Sequence, residues 1–560
     1  MSATPQEDPF TEDLKSHIDH LLEHYHVPSV GIGIVNGDQI YTHVRNRFFH
    51  QRLARSRLIV HSHDQAKGQA EVSKSPASTD TIYEIASITK TFTALTLVSL
   101  LEARSQQPND SGDISATLTL NSKIKSTIPD FSLPDDYATT HATLNDALAH
   151  VLGTGSHILS YGGEGQTLRD AVRSLRHLPM SAEFREKHQY LNVGYMLLQH
   201  IIETLCGQEE GGIANAHQEY IWGPLGMEST YANLDNAMRE KGHLLAKGYT
   251  WEDGRLTGGQ GKILESPYAS DWPLLGHSGM VTSITDLAKY LHAIINNTLP
   301  FITPAGYSDL FRPRTIMSEW SFHEHTSTTL YAAGWMISNL RGHKVISQAG
   351  GTSGFASKLL FLPQKKWGVA ILANADINGT CVVEAIASRL IDDFLGIPSS
   401  ERQNMTATMD GFLKGNVDSY LGARMRLYPD PPSPKIPISA PLASYAGRYY
   451  QPGYGYITFH VVSVSSLPRG GSSIPFDDST TEVLHAELPR MMDFTIDLEH
   501  VSGDKFIAWL GTKTGSGLIK WAKHARFEVD EDGGVKCGMA LEMFGGEGLV
   551  WFRRVEDPVN

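Results

Sequence analysis

Ser87-Ile88-Thr89-Lys90 opens the apolar stretch TKTFTALTLVSLLEA. Ile88, Phe92, Leu95 and Val98 recur at helical spacing, which predicts a largely buried helix beginning at Ser87. Residues three apart on a helix share a face, with about 5–6 Å between Cβ atoms, so the hydroxyl and the amine can touch. The unpaired N–H groups at that end would point at any anion forming beside Ser87. A serine nucleophile, a lysine to take its proton and a positive helix end are the parts of an acyl-transfer site. Two other S-x-x-K tetrads, Ser122–Lys125 and Ser502–Lys505, do not head a run of this kind.

The elements that would hold Ser87 in place can be read around it. Residues 11–26 form an amphipathic helical pattern, followed by two β-rich runs around Asn36-Gly37-Asp38, a good hairpin turn. Residues 43–80 are polar and irregular and read as an insertion. From about 103 to 300 the pattern is mainly helical with Gly/Pro breaks. Residues 344–374 read as strands with turns at Gly350-Gly351 and Gln364-Lys365, and 382–396 as a last helix. β-rich ends thus flank a helical middle, so strands distant in sequence are expected to share one sheet with a helical lobe inserted between them. A Pro-rich stretch, 425–442, then separates this part from an all-β pattern of short runs such as GYITFHVVSV, DKFIAWLG and GLVWFRRV. The expected division is a catalytic domain over 1–410, a linker over 411–442 and a β domain over 443–560.

Bulk properties narrow the functional classes. The chain has 560 residues, 41% hydrophobic and 19% charged, with a net charge of −14. That is enough for large cores and two to four domains, and it does not favour nucleic-acid binding. The run Arg45, Arg47, Arg52, Arg55 and Arg57 reads as a solvated insertion. No stretch resembles a secretory signal or an apolar span of about 18 residues. The cysteines Cys206, Cys381 and Cys537 are few and far apart, which fits a reducing compartment and a cytoplasmic reading. His61-Ser62-His63-Asp64 lacks a further ligand of the right kind nearby, so no metal and no cofactor are expected.

Five ordered segments carry a resemblance. STDTIYEIASITKTFTAL, ATLNDALAHVLGTG, HQYLNVGYMLLQHIIETLCG, WGPLGMEST and ISQAGGTSGF together resemble the serine β-lactamase and penicillin-binding-protein superfamily, in its class C-like esterase and D-aminopeptidase branch. The similarity covers about residues 15–400, and 443–560 resemble the lipocalin-like C-terminal domain of some members. The resemblance implies an α/β fold, an antiparallel sheet flanked by helices with an inserted helical lobe, followed by a barrel-like β domain.

It also implies roles. Ser87 would form the acyl-enzyme, and Lys90 and Tyr190 would move its proton. Asn192 of the Y-x-N motif would be a substrate-side hydrogen-bonding group. The third motif, written K-T-G or H-x-G in the family, is matched by Gln348-Ala349-Gly350, with the N–H groups of Ser87 and Gly351 as the oxyanion hole. Gln348 replaces the usual Lys or His and carries no charge, which favours neutral substrates. Tyr231-Ala232-Asn233 and Lys513-Thr514-Gly515 spell the same motifs but stand outside the matching order. Thr352 occupies the serine position of an elbow-like Gly350–Gly354 run.

Lysine's reference pKa is about 10.4, so a neutral Lys90 at pH 7 requires burial to oppose the ammonium by roughly 4 kcal/mol. Alternatively a charged Lys90 makes Tyr190 the base. The expected activity is hydrolysis of a small neutral ester or amide, with secondary metabolism as a setting. An acyltransferase using the same acyl-enzyme and a catalytically silent binding or scaffold protein are the alternatives.

Overall fold

The computed structural model describes residues 8–47, 76–106, 117–207, 212–257, 259–268, 273–318, 321–467, 474–513, 520–529, 534–543 and 548–556. Most of the polar 43–80 stretch, including His61–Asp64 and Arg52–Arg57, lies outside them.

An eight-stranded antiparallel sheet is the platform. Its order is Gln39–Asn46, Ser29–Asn36, Trp367–Ala373, Phe355–Leu362, His343–Thr352, Met336–Leu340, Thr329–Tyr331 and Thr315–Ser318. The two ends of the catalytic region therefore meet, with Val30 opposite Ala373 and Asn36 opposite Trp367. The run Val30-Gly31-Ile32-Gly33-Ile34 explains both faces through the period of two in a strand. Val30, Ile32 and Ile34 join a core with the helices Glu12–His24 and Ile377–Leu395. Gly31 and Gly33 face the helix Ile284–Asn296, where a Cβ on Gly33 would stand 2.9 Å from that of Ala288. The absent side chains let that helix lie directly on the sheet.

The expected hairpin forms at Gly37, in the left-handed region at φ +61. The other expected turn is displaced. Gly350 and Gly351 lie inside the strand His343–Thr352, and the chain reverses at Ser353-Gly354, where Gly354 has φ +80. The last helix of the region begins at Ile377, earlier than read, because Asp376 caps it by accepting from the Ile377 N–H at 2.8 Å. The middle of the chain is mainly helical, with short strands such as Val281–Ser283, which pairs with Ile82–Glu84 just before Ser87.

The helices Met405–Leu421 and Ala423–Leu427 lead to the β domain. Eight antiparallel strands between Gly447 and Val555 follow one another in chain order and close into a barrel, first strand against last. Tyr449, Phe459, Phe494, Phe506, Phe527 and Phe552 are buried in it, with ring pairs such as Phe506–Phe527 at 5.1 Å. The barrel is thus a packed core, continuous with that of the helical lobe.

Candidate active site

Every side chain from Thr89 to Leu101 is buried in the helix Thr89–Ser105, including Lys90 and four threonines. Ser87 precedes it within the tight turn Ala86–Ile88. Ala86 has φ +46, a left-handed conformation unusual for a residue with a Cβ. The nucleophile candidate therefore stands on a sharp strand-to-helix corner.

Ser87, Lys90 and Tyr190 come together there. Lys90 Nζ donates to Ser87 Oγ at 3.0 Å and to the His277 carbonyl at 2.9 Å. The Tyr190 hydroxyl donates to Ser87 Oγ at 2.7 Å. Lys90 is fully buried, and its Nζ lies 4.7 Å from the Tyr190 ring centre and 5.6 Å from that of Tyr195. Burial pushes the Tyr190 phenol well above its ordinary value, and neighbouring Tyr331 adds to this.

His150, within the ATLNDALAHVLGTG segment, packs its ring 4.6 Å from Tyr190 and accepts the Leu191 N–H at 3.0 Å. Burial, then His188 and Lys90, hold it well below the ordinary histidine value, and burial takes His188 down to about 4. Both imidazoles are neutral at pH 7.

Asn192 opens the helix Asn192–Cys206 and donates from Nδ2 to the Tyr161 hydroxyl at 2.8 Å. Tyr161 also sets its ring 5.6 Å from His277, the residue whose carbonyl holds Lys90. Neither Tyr161 nor His277 was singled out from sequence. Each reaches the site only through tertiary contacts, so no local spacing marks it.

Gln348 and Gly350 share one face of their strand. A Cβ on Gly350 would collide with the Ile85 carbonyl and stand 3.1 Å from the Ser87 nitrogen. Glycine is what lets this strand approach the corner. Gln348 is buried and its amide is engaged inside the protein. Nε2 donates to the Gly334 carbonyl at 3.0 Å and toward the Tyr331 hydroxyl at 3.4 Å, and Oε1 accepts from the Ala349 N–H at 3.0 Å. Gly334 in turn abuts the Lys90 backbone, where a Cβ would lie 2.8 Å from the carbonyl oxygen.

Gly351 follows from register. Thr352 and Phe355 flank a two-residue reversal and must exchange both ladder bonds, so Gly351 opposite Ala356 is a non-bonded pair. Its N–H and C=O point away from that neighbour, to the side where the pairing with Met336–Leu340 has already ended at Ser347. Among the described residues this strand edge beside Ser87 has no further strand paired to it.

The look-alike motifs have other occupations. Tyr231 belongs to the strand Thr230–Tyr231, and Asn233 caps the helix Leu234–Lys241. Ser122 Oγ accepts the Thr119 N–H and Ser502 Oγ the Ile436 N–H. Lys513 pairs with Glu487 on the barrel surface at 2.6 Å, and Thr514-Gly515 lies outside the described residues. Among the described residues no group of three or more metal-binding side chains occurs, and no helix is long and apolar enough to cross a membrane.

A family profile described as Beta-lactamase matches residues 14–391. The chain belongs to the beta-lactamase family. Among its relatives is the unguisins hydrolase ungD of Aspergillus violaceofuscus, 27% identical, in an alignment covering 99% of this chain and 93% of that protein. The unguisins hydrolase ungD' of Aspergillus campestris is also 27% identical, over 80% of this chain and 78% of its own. The octameric penicillin-binding protein homologue from Pyrococcus abyssi shares the fold across both parts, with 97% of this chain and 99% of that one covered, 21% identity and a TM-score of 0.54. The D-amino acid amidase from Ochrobactrum anthropi SV3, seen with L-phenylalanine, covers 69% of this chain and 99% of its own, at 17% identity and a TM-score of 0.51. In this beta-lactamase-family member the expected fold is present, including a closed eight-stranded C-terminal barrel.

Proposed function

We propose that this protein is a serine hydrolase that cleaves an ester or amide of a small molecule through an acyl-enzyme on Ser87. The observation carrying the reading is the position of Ser87 Oγ, bonded by Lys90 Nζ at 3.0 Å and Tyr190 OH at 2.7 Å at one end of a buried helix. A serine hydroxyl needs such a base to attack a carbonyl at neutral pH.

In the proposed sequence Ser87 Oγ bonds to the substrate carbonyl carbon and its proton passes to neutral Lys90. The carbonyl oxygen takes the negative charge between the Ser87 and Gly351 N–H groups. The leaving group departs with a proton delivered through Tyr190. Water then attacks the acyl carbon, returns a proton to the site and frees the acid. The raised phenol value of Tyr190 favours Lys90 as base, because the phenol stays a donor near pH 7.

The relatives named unguisins hydrolase, aligned over nearly the whole chain in one case, support hydrolysis of a secondary metabolite. The fold shared with a D-amino acid amidase is compatible with amide cleavage. A fluorophosphonate probe should label the wild-type protein and not Ser87→Ala. Labelling that survives this substitution sinks the proposal. Turnover of p-nitrophenyl esters with and without an acceptor alcohol separates hydrolysis from acyl transfer, and no turnover with any ester or amide would favour a binding protein.

A further inference from the structure

A cavity of about 480 Å³ lies where the catalytic part of the chain meets the barrel. None of Ser87, Lys90, Tyr190, Asn192, Gln348 and Gly350 lines it. Distant stretches of chain form its walls: the end of the helix Glu12–His24, the strand Gly248–Glu252, the helix Met405–Leu421 and the start of the barrel strand Trp521–Val529. Small-molecule sites are typically about 300–1,000 Å³ and favour such junctions between domains. Aromatic rings supply part of the wall. Trp251 is held by His26, which stacks on it at 3.7 Å. Tyr420 is steadied edge-on by Trp509 at 5.3 Å. Trp521 adds a third ring from the barrel.

The acidic side chains of the cavity are already engaged. Asp253 pairs with Arg255 at 2.9 Å, Asp410 meets His24 Nε2 at 2.8 Å, and Asp376 accepts the Ile377 N–H at 2.8 Å. Two of its cations are engaged as well. Lys523 donates to the Glu542 backbone carbonyl at 3.0 Å and Arg426 to the Ala522 carbonyl at 3.4 Å. Lys520 differs: its ammonium has no hydrogen bond or ion pair among the described residues. Glu252, Asp376 and Asp253 attract it from a distance, yet burial still holds its pKa below the ordinary lysine value. Glu252 is itself paired with Lys262 at 3.2 Å. An ammonium drawn partly out of water and left unbonded is costly until an acceptor reaches it.

We propose that this cavity is a ligand site, separate from Ser87, for a small aromatic carboxylate. The ring lies among Trp251, Tyr420 and Trp521, and the carboxylate takes the Lys520 ammonium. The ligand thus supplies the ion pair that Lys520 lacks and covers apolar surface at the junction. A ring bearing an ammonium is refused by the same lysine. Because the walls come from both the catalytic part and the barrel, an occupied site ties the two together, and binding to the folded chain alone stabilises it.

Isothermal titration of the full chain tests this with phenylacetate, phenylacetamide and phenethylamine, which share a ring and differ in the polar end. Phenylacetate should bind about 10- to 100-fold more tightly than the amide, the worth of a charge-assisted hydrogen bond. Phenethylamine should bind more weakly than either. Lys520→Gln should remove the preference for the acid over the amide, each ratio being taken within one protein. 4-Azidophenylacetate, photolysed on the protein, should mark peptides bearing Trp251 or Trp521. Absence of binding, equal affinities for acid and amide, or tighter binding of phenethylamine overturns the inference. So does a preference that survives Lys520→Gln, or marking confined to peptides bearing Ser87 or Tyr190. If the variant does not fold, the loss of the wild-type preference at high ionic strength and the place of marking decide the matter. None of these readouts depends on turnover at Ser87.

Discussion

Under the proposed mechanism Ser87, Lys90 and Tyr190 have separable duties. Lys90→Ala should lower turnover by roughly 10²–10⁴-fold, the usual range for losing general-base help, with the loss in kcat because the amine does not hold the substrate. Steady-state kinetics on a p-nitrophenyl ester check this, and a loss confined to KM would reassign Lys90 to binding. Gln348 predicts a second outcome. Its amide is engaged with Gly334 and Ala349, and it brings no charge to meet a substrate carboxylate. Benzylpenicillin should therefore be hydrolysed at least 100-fold more slowly than a neutral phenyl ester. Equal rates would mean that another cation does the work of the missing Lys or His.

At the scale of elements, the strand carrying Gly350 and the corner carrying Ser87 meet backbone to backbone. Gly350→Ala would press a methyl group onto the Ile85 carbonyl and toward the Ser87 nitrogen. It should cut kcat at least 100-fold while leaving the circular dichroism spectrum in place, and near-normal turnover would refute the close approach. The nucleophile helix also rests on His217, whose Nδ1 meets Thr96 Oγ1 at 2.7 Å and whose pKa burial depresses to about 3. Unfolded histidine titrates near 6.5, so below that pH the unfolded chain binds a proton that the folded protein refuses. Stability should fall as pH drops from about 6.5 toward 3, by up to about 1.4 kcal/mol per pH unit for this histidine. His217→Gln should flatten that slope in urea titrations, and an unchanged slope would show that other groups set it.

These elements differed in how legible they were. The nucleophile helix was plain because Ile88, Phe92, Leu95 and Val98 recur at helical spacing. The hairpin at Gly37 was plain because a tight turn needs a left-handed residue. Gly350-Gly351 misled, because glycine marks close approach as readily as reversal, and only the neighbouring Ile85 backbone tells which. Tyr161 and His277 left no local trace. Their partners lie at Asn192 and Lys90, 31 and 187 positions away, and such pairs are set by packing.

For the molecule as a whole, the barrel is joined to the lobe through one continuous core, and the two should unfold together. A single calorimetric transition for the full chain is the expected result, and two resolved transitions would mean the barrel is independent. Lys513, on the barrel surface with Glu487, has no part in this union. Lys513→Ala should keep ester turnover within a few-fold of wild type, whereas a thousand-fold loss would make Lys513 part of the site. The pairing of Ser29–Asn36 with Trp367–Ala373 has a further consequence, for synthesis. Ribosomes deliver about 5–20 residues per second, so the apolar run Val30–Val35 emerges roughly 15–70 s before the strand that will cover its edge. Throughout that interval it is an open β edge of the kind that pairs with other chains. The nascent protein should depend on chaperones long before it holds a substrate, and slowing translation between residues 46 and 367 should lower its soluble yield more than slowing it within the barrel.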